Sequence, residues 1–182
     1  MYSENAKALD QAGATLIANT ATQEGTDVSG FYNVECRDAE GNLKWSEMIK
    51  NTVVTQGKNN MLDTYFAGIS YTAAWYMGLV DGASTPSYSA GDTLLTHSGW
   101  TESTAYTGNR AAVTWNVASG GSKVTNAIAF NINATATIAG ALMCTVASGS
   151  SGVLYSVGNF TGGSRAVASG DTLNVTYTTT LT

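Results

Sequence analysis

The chain carries a single histidine, His97, so a Ser–His–Asp hydrolytic triad would have to be built on it. Asp92 and Ser98 stand near it in sequence, but triads are assembled in space from separate segments. There is neither a G-x-S-x-G elbow nor a recognisable oxyanion loop, so a hydrogen-bonded structural histidine is expected. Cys36, Cys144 and one histidine make a poor zinc set, because zinc takes three or four protein ligands. The cysteine spacing does not argue for a disulfide, and two buried thiols are expected. Asp81, Asp92 and Glu102, around one long loop, are the carboxylates that could face each other as a glycosidase pair does. Turn capping accounts for Asp81 and Asp92 more simply. Asp38, Glu40 and Asn42 have the 1, 3, 5 spacing of a calcium loop, but the glycine comes too early and Ile49 stands where the bidentate glutamate belongs. No phosphate-cradling glycine motif occurs. The expectation is that no residue is catalytic and that none holds a metal or a cofactor.

The residue types that remain are suited to contact. Tyr71, Trp75, Tyr76, Tyr88, Trp100 and Tyr106 fall between residues 71 and 106. Such side chains can form core, anchor a protein interface or stack on sugar rings. Trp75, Tyr76, Tyr88, Trp100 and Tyr106 are therefore candidate interface residues, together with Leu9, Leu16 and Ile17 near the N-terminus.

Charge points the same way. Only 12% of the 182 residues are charged, against about 25% in an average domain. Residues 1–60 hold five Lys/Arg and eight Asp/Glu, whereas residues 111–182 hold only Lys123, Arg165 and Asp171. Charge is depleted at the cores of protein interfaces, where each desolvated ion must be compensated. The net charge of −5 argues against nucleic acid, which needs a concentrated basic surface. No run of apolar residues is long enough to span a membrane, and Glu4, Lys7 and Asp10 are unlike a secretory signal. The Asn-x-Thr triplets at Asn133, Asn159 and Asn174 read as chance matches in a chain rich in Asn and Thr.

The elements that must position these residues are mostly strands. Residues 3–18 read as a helix capped by Ser3, with Ala6, Leu9, Gly13, Leu16 and Ile17 near one face. Residues 19–30 read as a linker, so 1–30 form a helix and arm and 31–182 the folded domain. Tyr32, Val34 and Cys36 alternate with polar residues, as do Leu43, Trp45 and Ile49 across the turn at 38–42, which predicts a hairpin with Gly41 in its loop. A short helix is expected over 58–67 and one capped helical turn over 92–97. Residues 75–80 read as a buried strand. Strands are expected at 111–117, 123–132, 137–146, 153–160 and 173–181, the last with strict alternation. Short strands separated by Gly/Ser turns predict an all-β antiparallel sandwich, with a jelly roll as first choice. The run Ala90-Gly91-Asp92-Thr93-Leu94 is echoed by Ser169-Gly170-Asp171-Thr172-Leu173, whose shared content is an aspartate capping a turn.

A further signal lies in motif order: Trp-Tyr-Met-Gly-Leu-Val at 75–80, Ala-Gly-Asp-Thr-Leu at 90–94, His-Ser-Gly-Trp-Thr-Glu at 97–102, Tyr106, and Asn-Arg-Ala at 109–111. Gly-Ala-Leu at 140–142, Gly-Val-Leu-Tyr-Ser at 152–156 and Ser-Gly-Asp-Thr-Leu at 169–173 follow. From Phe31 onward this resembles a family of small virion structural proteins of tailed bacteriophages. The resemblance implies a jelly-roll or related sandwich and no catalytic motif. It also implies a capsid decoration, or cement, protein located on the capsid surface of the virion. Its partners would be the major capsid protein and itself, as a dimer or trimer, with no nucleic acid and no membrane. The alternative is a tail or head-fibre component that binds host glycans.

Overall fold

The computed structural model describes residues 26–66 and 74–182. The helix expected over 3–18, with Leu9, Leu16 and Ile17, and the expected arm up to residue 25 lie outside them, as does Tyr71.

In chain order the elements are β1 (Val28–Arg37), β2 (Leu43–Lys50), β3 (Thr52–Val53), α1 (Thr55–Phe66), β4 (Tyr76–Asp81) and β5 (Ala111–Ala112). They continue with β6 (Ser122–Val124), β7 (Ile128–Asn131), β8 (Ala136–Cys144), β9 (Leu154–Asn159), β10 (Arg165–Val167) and β11 (Thr172–Leu181). One sheet runs β2-β1-β11-β6, with β7 also on β11; the other runs β3-β9-β8-β4-β5, with β10 also on β8. All pairings are antiparallel and the inner faces pack together, so the protein is an all-β sandwich. The neighbouring pairs β1–β2 and β8–β9 are hairpins within one sheet, whereas a jelly-roll wind alternates consecutive strands between sheets.

The first and last strands form the spine of the first sheet. Ten consecutive residue pairs join β1 to β11, from Val28↔Leu181 to Arg37↔Thr172. Tyr32, Val34, Cys36, Leu173, Val175 and Tyr177 point inward and are buried, while Asn33 and Glu35 of β1 point out and are exposed. β1 starts three residues earlier than the expected domain boundary. Val28-Ser29-Gly30 reads locally as linker, and pairing with Thr179–Leu181 overrides that reading. In the β1–β2 turn, Gly41 has φ 88°, a conformation open to glycine, as expected.

The second sheet is buried on both faces. β8 is buried from Ile138 to Cys144 and β9 from Leu154 to Gly158, and β8 accordingly reads as an unbroken apolar run over 138–144. One face meets the first sheet through Met77, Leu79, Ile138, Met143 and Tyr155. The opposite face, with Val80, Leu142, Cys144, Leu154 and Val157, is covered by Val54, Leu94 and Trp100. The long connection 82–110 thus supplies the lid of a second core. Its backbone also pairs with the edge of β4: Asp81 N–H donates to Thr101 O (2.9 Å) and Ser103 N–H to Leu79 O (2.8 Å).

Several expected elements are corrected. No helical turn forms at 92–97, because the Asp92 carboxylate accepts from Ser89 N–H behind it and closes a turn. The strand expected over 111–117 is Ala111–Ala112 plus a bridge from Trp115 to Thr125. The strand expected over 123–132 is split, because one extra residue lies between Val124↔Thr178 and Ile128↔Val175. Thr125, at this bulge, is buried; its N–H donates to Tyr177 O and its Oγ1 accepts from Tyr177 N–H, both at 2.9 Å. β3 and β10 were not expected.

Helix α1 rests on β9 through Gly57. A Cβ there would lie 2.6 Å from Tyr155 O and 2.8 Å from Tyr155 Cα, both backbone atoms. Gln56 Oε1 completes the junction by accepting from Leu154 N–H (2.8 Å). Gly57→Ala sets a helix-propensity gain of up to about 1 kcal/mol against overpacking of about 1–3 kcal/mol. The expected outcome is a net loss of stability in urea denaturation; an equal or higher midpoint would contradict this packing.

Candidate functional site

The sequence echo is a structural repeat of one turn. In both copies the aspartate N–H donates to the carbonyl three residues back, Asp92 to Ser89 O (3.0 Å) and Asp171 to Ala168 O (3.1 Å). In both, Oδ2 accepts the N–H of that same earlier residue, at 3.1 Å for Asp92 and 2.8 Å for Asp171. In both, the leucine two residues on, Leu94 or Leu173, enters a core.

Each buried carboxylate then takes a different distant partner. Asp92 accepts from Trp100 Nε1 (2.9 Å), locking the indole that covers the second core. Asp171 accepts from Lys44 Nζ (2.6 Å) and lies 3.7 Å from the Cys36 thiol that donates to it. Burial alone would raise the Asp171 pKa, but the Ala168 N–H and the Lys44 ammonium outweigh it and hold the carboxyl below its ordinary range. The Cys36 thiol is pushed up to about 11, by burial first and then by the Asp171 charge. Burial also raises the Cys144 thiol. Both cysteines are free and buried, as expected.

The other chemically suggestive residues are similarly engaged. His97 stacks on Trp100 at 3.8 Å between centroids, and its Nδ1 lies 3.1 Å from Trp100 O, so it is a structural histidine. Asp81 Oδ1 accepts from Ala83 N–H (2.8 Å). Asp38 accepts from Asn42 Nδ2, Asn42 N–H and Glu40 N–H; these bonds lower its pKa and close the β1–β2 turn that the calcium-loop spacing resembled. Glu102 pairs with Arg110, whose Nε donates at 2.8 Å and whose Nη1 reaches Val146 O at 3.1 Å. This ion pair borders a shallow depression of about 190 Å³ beside Tyr106 and Ser148, and the two side chains spend their polar atoms on each other and the backbone. Sequence reading did not pair Arg110 with Glu102. Among the described residues, no group of three or more His, Cys, Asp or Glu could hold a metal, and no helix is long and apolar enough to cross a membrane.

The candidate interface aromatics lie in or against the two cores. Trp100 is 3% and Tyr106 7% exposed, which removes both from any outer contact surface. Burial pushes the Tyr106 hydroxyl up to about 12. Trp75 is half-buried edge-on to Tyr155 (5.4 Å), and Tyr76 packs half-buried on the second core. Tyr88, also half-buried, leans on Trp100 and donates its hydroxyl to Asn159 Oδ1. Exposed apolar side chains instead gather on α1, at Leu62, Tyr65 and Phe66. No family model and no curated protein matches the chain.

One prediction rests on the buried aspartate. A lowered folded-state pKa means stability that is present above the unfolded-state value and is lost as pH falls through the folded-state value. Asp171→Asn should cost about 1–3 kcal/mol at neutral pH, and its deficit against the unmutated protein should shrink as pH drops below about 4. A deficit that stays constant from neutral to acid pH would contradict the charge pairing. The thiols give the second. At about pH 8 neither Cys36 nor Cys144 should react with a disulfide reagent in the native protein, and both should react once it is denatured. Native reaction of either, or none after denaturation, would contradict two buried free thiols.

Proposed function

We propose that this protein is a structural component of a tailed-phage virion, a decoration protein that binds the outside of the major capsid protein shell, stabilises it and transforms no substrate. One observation carries the reading furthest: the three charges of residues 111–182 are all engaged within the chain. Asp171 meets Lys44, Arg165 meets Glu47, and Lys123 donates to Asn116 O (2.9 Å) above the Trp115 ring. What this half of the chain offers a neighbour is uncharged Thr, Ser and Asn, as on the outward positions Asn174, Thr176 and Thr178 of β11. The one acid opposite these positions, Glu35 across from Asn174, is paired with Arg37, so covering them strands little uncompensated charge. The order of motifs from residue 75 to 173 supports the same role. Many copies, each burying modest apolar area worth about 25 cal/mol per Å², add up across a particle. Self-association as a dimer or trimer, and contacts from the N-terminal segment through Leu9, Leu16 and Ile17, belong to this proposal.

The alternative, a tail or head-fibre protein binding host glycans, drew on the aromatic cluster. With Trp100 and Tyr106 buried, that cluster does not form an exposed stacking platform.

The test is quantitative mass spectrometry of purified particles of the phage that encodes the chain, paired with a deletion of its gene. The reading expects copy numbers in proportion to the shell and deleted particles that lose DNA more readily on heating. A few copies confined to the tail, or particles equally resistant without the protein, would overturn it.

A further inference from the structure

An apolar groove lies between α1 and the strands that begin and end the sandwich. Met61, Leu62, Tyr65 and Phe66 form one wall, and Val28 and Leu181 form the other. The groove encloses about 540 Å³. Leu62 is 55%, Tyr65 83% and Phe66 78% exposed, so beyond Met61, which packs on the core, the apolar face of α1 is left largely uncovered by the described residues. Rings of this size left in water forfeit about 1.5–3 kcal/mol each. A helix with such a face is ordinarily covered.

We infer that the groove is the docking site of the chain's own N-terminal segment, which lays the apolar stripe of residues 3–18 against α1. Two observations select this occupant. Thr26 and Asp27 themselves line the groove, so residues 1–25 are tethered at its mouth. That segment has Leu9, Leu16 and Ile17 at helical spacing, a stripe that needs an apolar counterpart. Reach is sufficient. Residues 18–25 span up to roughly 26 Å when extended, longer than α1 at about 18 Å. A tether this short gives a millimolar-range effective concentration, which favours the chain's own segment over a second copy in dilute solution. This inference does not depend on where the protein works.

The test uses the full-length chain. A thiol introduced by Leu62→Cys reports on the groove, while buried Cys36 and Cys144 stay silent as long as the sandwich is folded. Its maleimide labelling rate is compared with and without a second change, Leu9→Asp or Leu16→Asp, made separately; both positions lie outside the described residues. The expected result is that either charge speeds labelling by about tenfold or more, that protection without it is independent of protein concentration, and that the native cysteines remain unlabelled. Equally fast labelling with and without the charges would show an open groove. Protection that the charges do not relieve would assign the cover to another segment, and protection that grows with protein concentration would assign it to a second copy. Each of these three results overturns the inference.

Discussion

A sheet that is apolar on both faces cannot be satisfied by one partner sheet. β4, β8 and β9 present Met77, Leu79 and Met143 to the first sheet and Val80, Leu142 and Leu154 to the other side. Something must cover that second face, and the connection 82–110 does so with Leu94 and Trp100. Much else in the molecule depends on this requirement. It explains why the longest excursion in the chain is held to the β4 edge by backbone bonds. It explains why Asp92 is buried: its carboxylate orients the covering indole. It also explains why a cluster of aromatics that could have met a partner is largely consumed inside the fold.

The two aspartate turns show one local device used for two ends. The turn geometry is the same at 89–92 and 168–171, but the third ligand of each carboxylate comes from elsewhere in the chain, an indole in one case and an ammonium with a thiol in the other. The first ties a covering segment to the second core. The second ties the start of β11 to β2, across β1, and so braces the spine of the other sheet. A buried charge is tolerated in each because donors surround it. The same economy of charge, repeated at Arg165–Glu47 and at Lys123, underlies the proposed role at a crowded particle surface. Under the proposed docking, the N-terminal stripe would reach a neighbouring subunit only by leaving its groove.

Much of the sandwich was legible in the sequence because burial leaves a period. Alternation in 32–36 and 173–181 marks strands with one wet face, and the apolar run at 75–80 marks a strand with none. The capping role of Asp92 and Asp171 was legible because it is local. The rest was not, for physical reasons. β3 and β10 are two and three residues long, too short to carry a period. The bulge at Thr125 is set by its bonds to Tyr177, far away in sequence. The same is true of Lys44 on Asp171 and of Arg110 on Glu102: charges show in the sequence, and their pairing does not. Core and interface draw on the same aromatic residues, so composition could not separate Trp100 as a lid from Trp100 as a contact.

The central claim is that segment 82–110 is core and not a surface loop, and native-state hydrogen exchange reads it directly. The amides of Asp81 and Ser103, which bond across the β4 edge, and the Trp100 indole N–H should exchange only as slowly as the amide of Tyr177 in the centre of the first sheet, through global unfolding. Exchange of these groups at the rates of an open loop, with Tyr177 still protected, would contradict it.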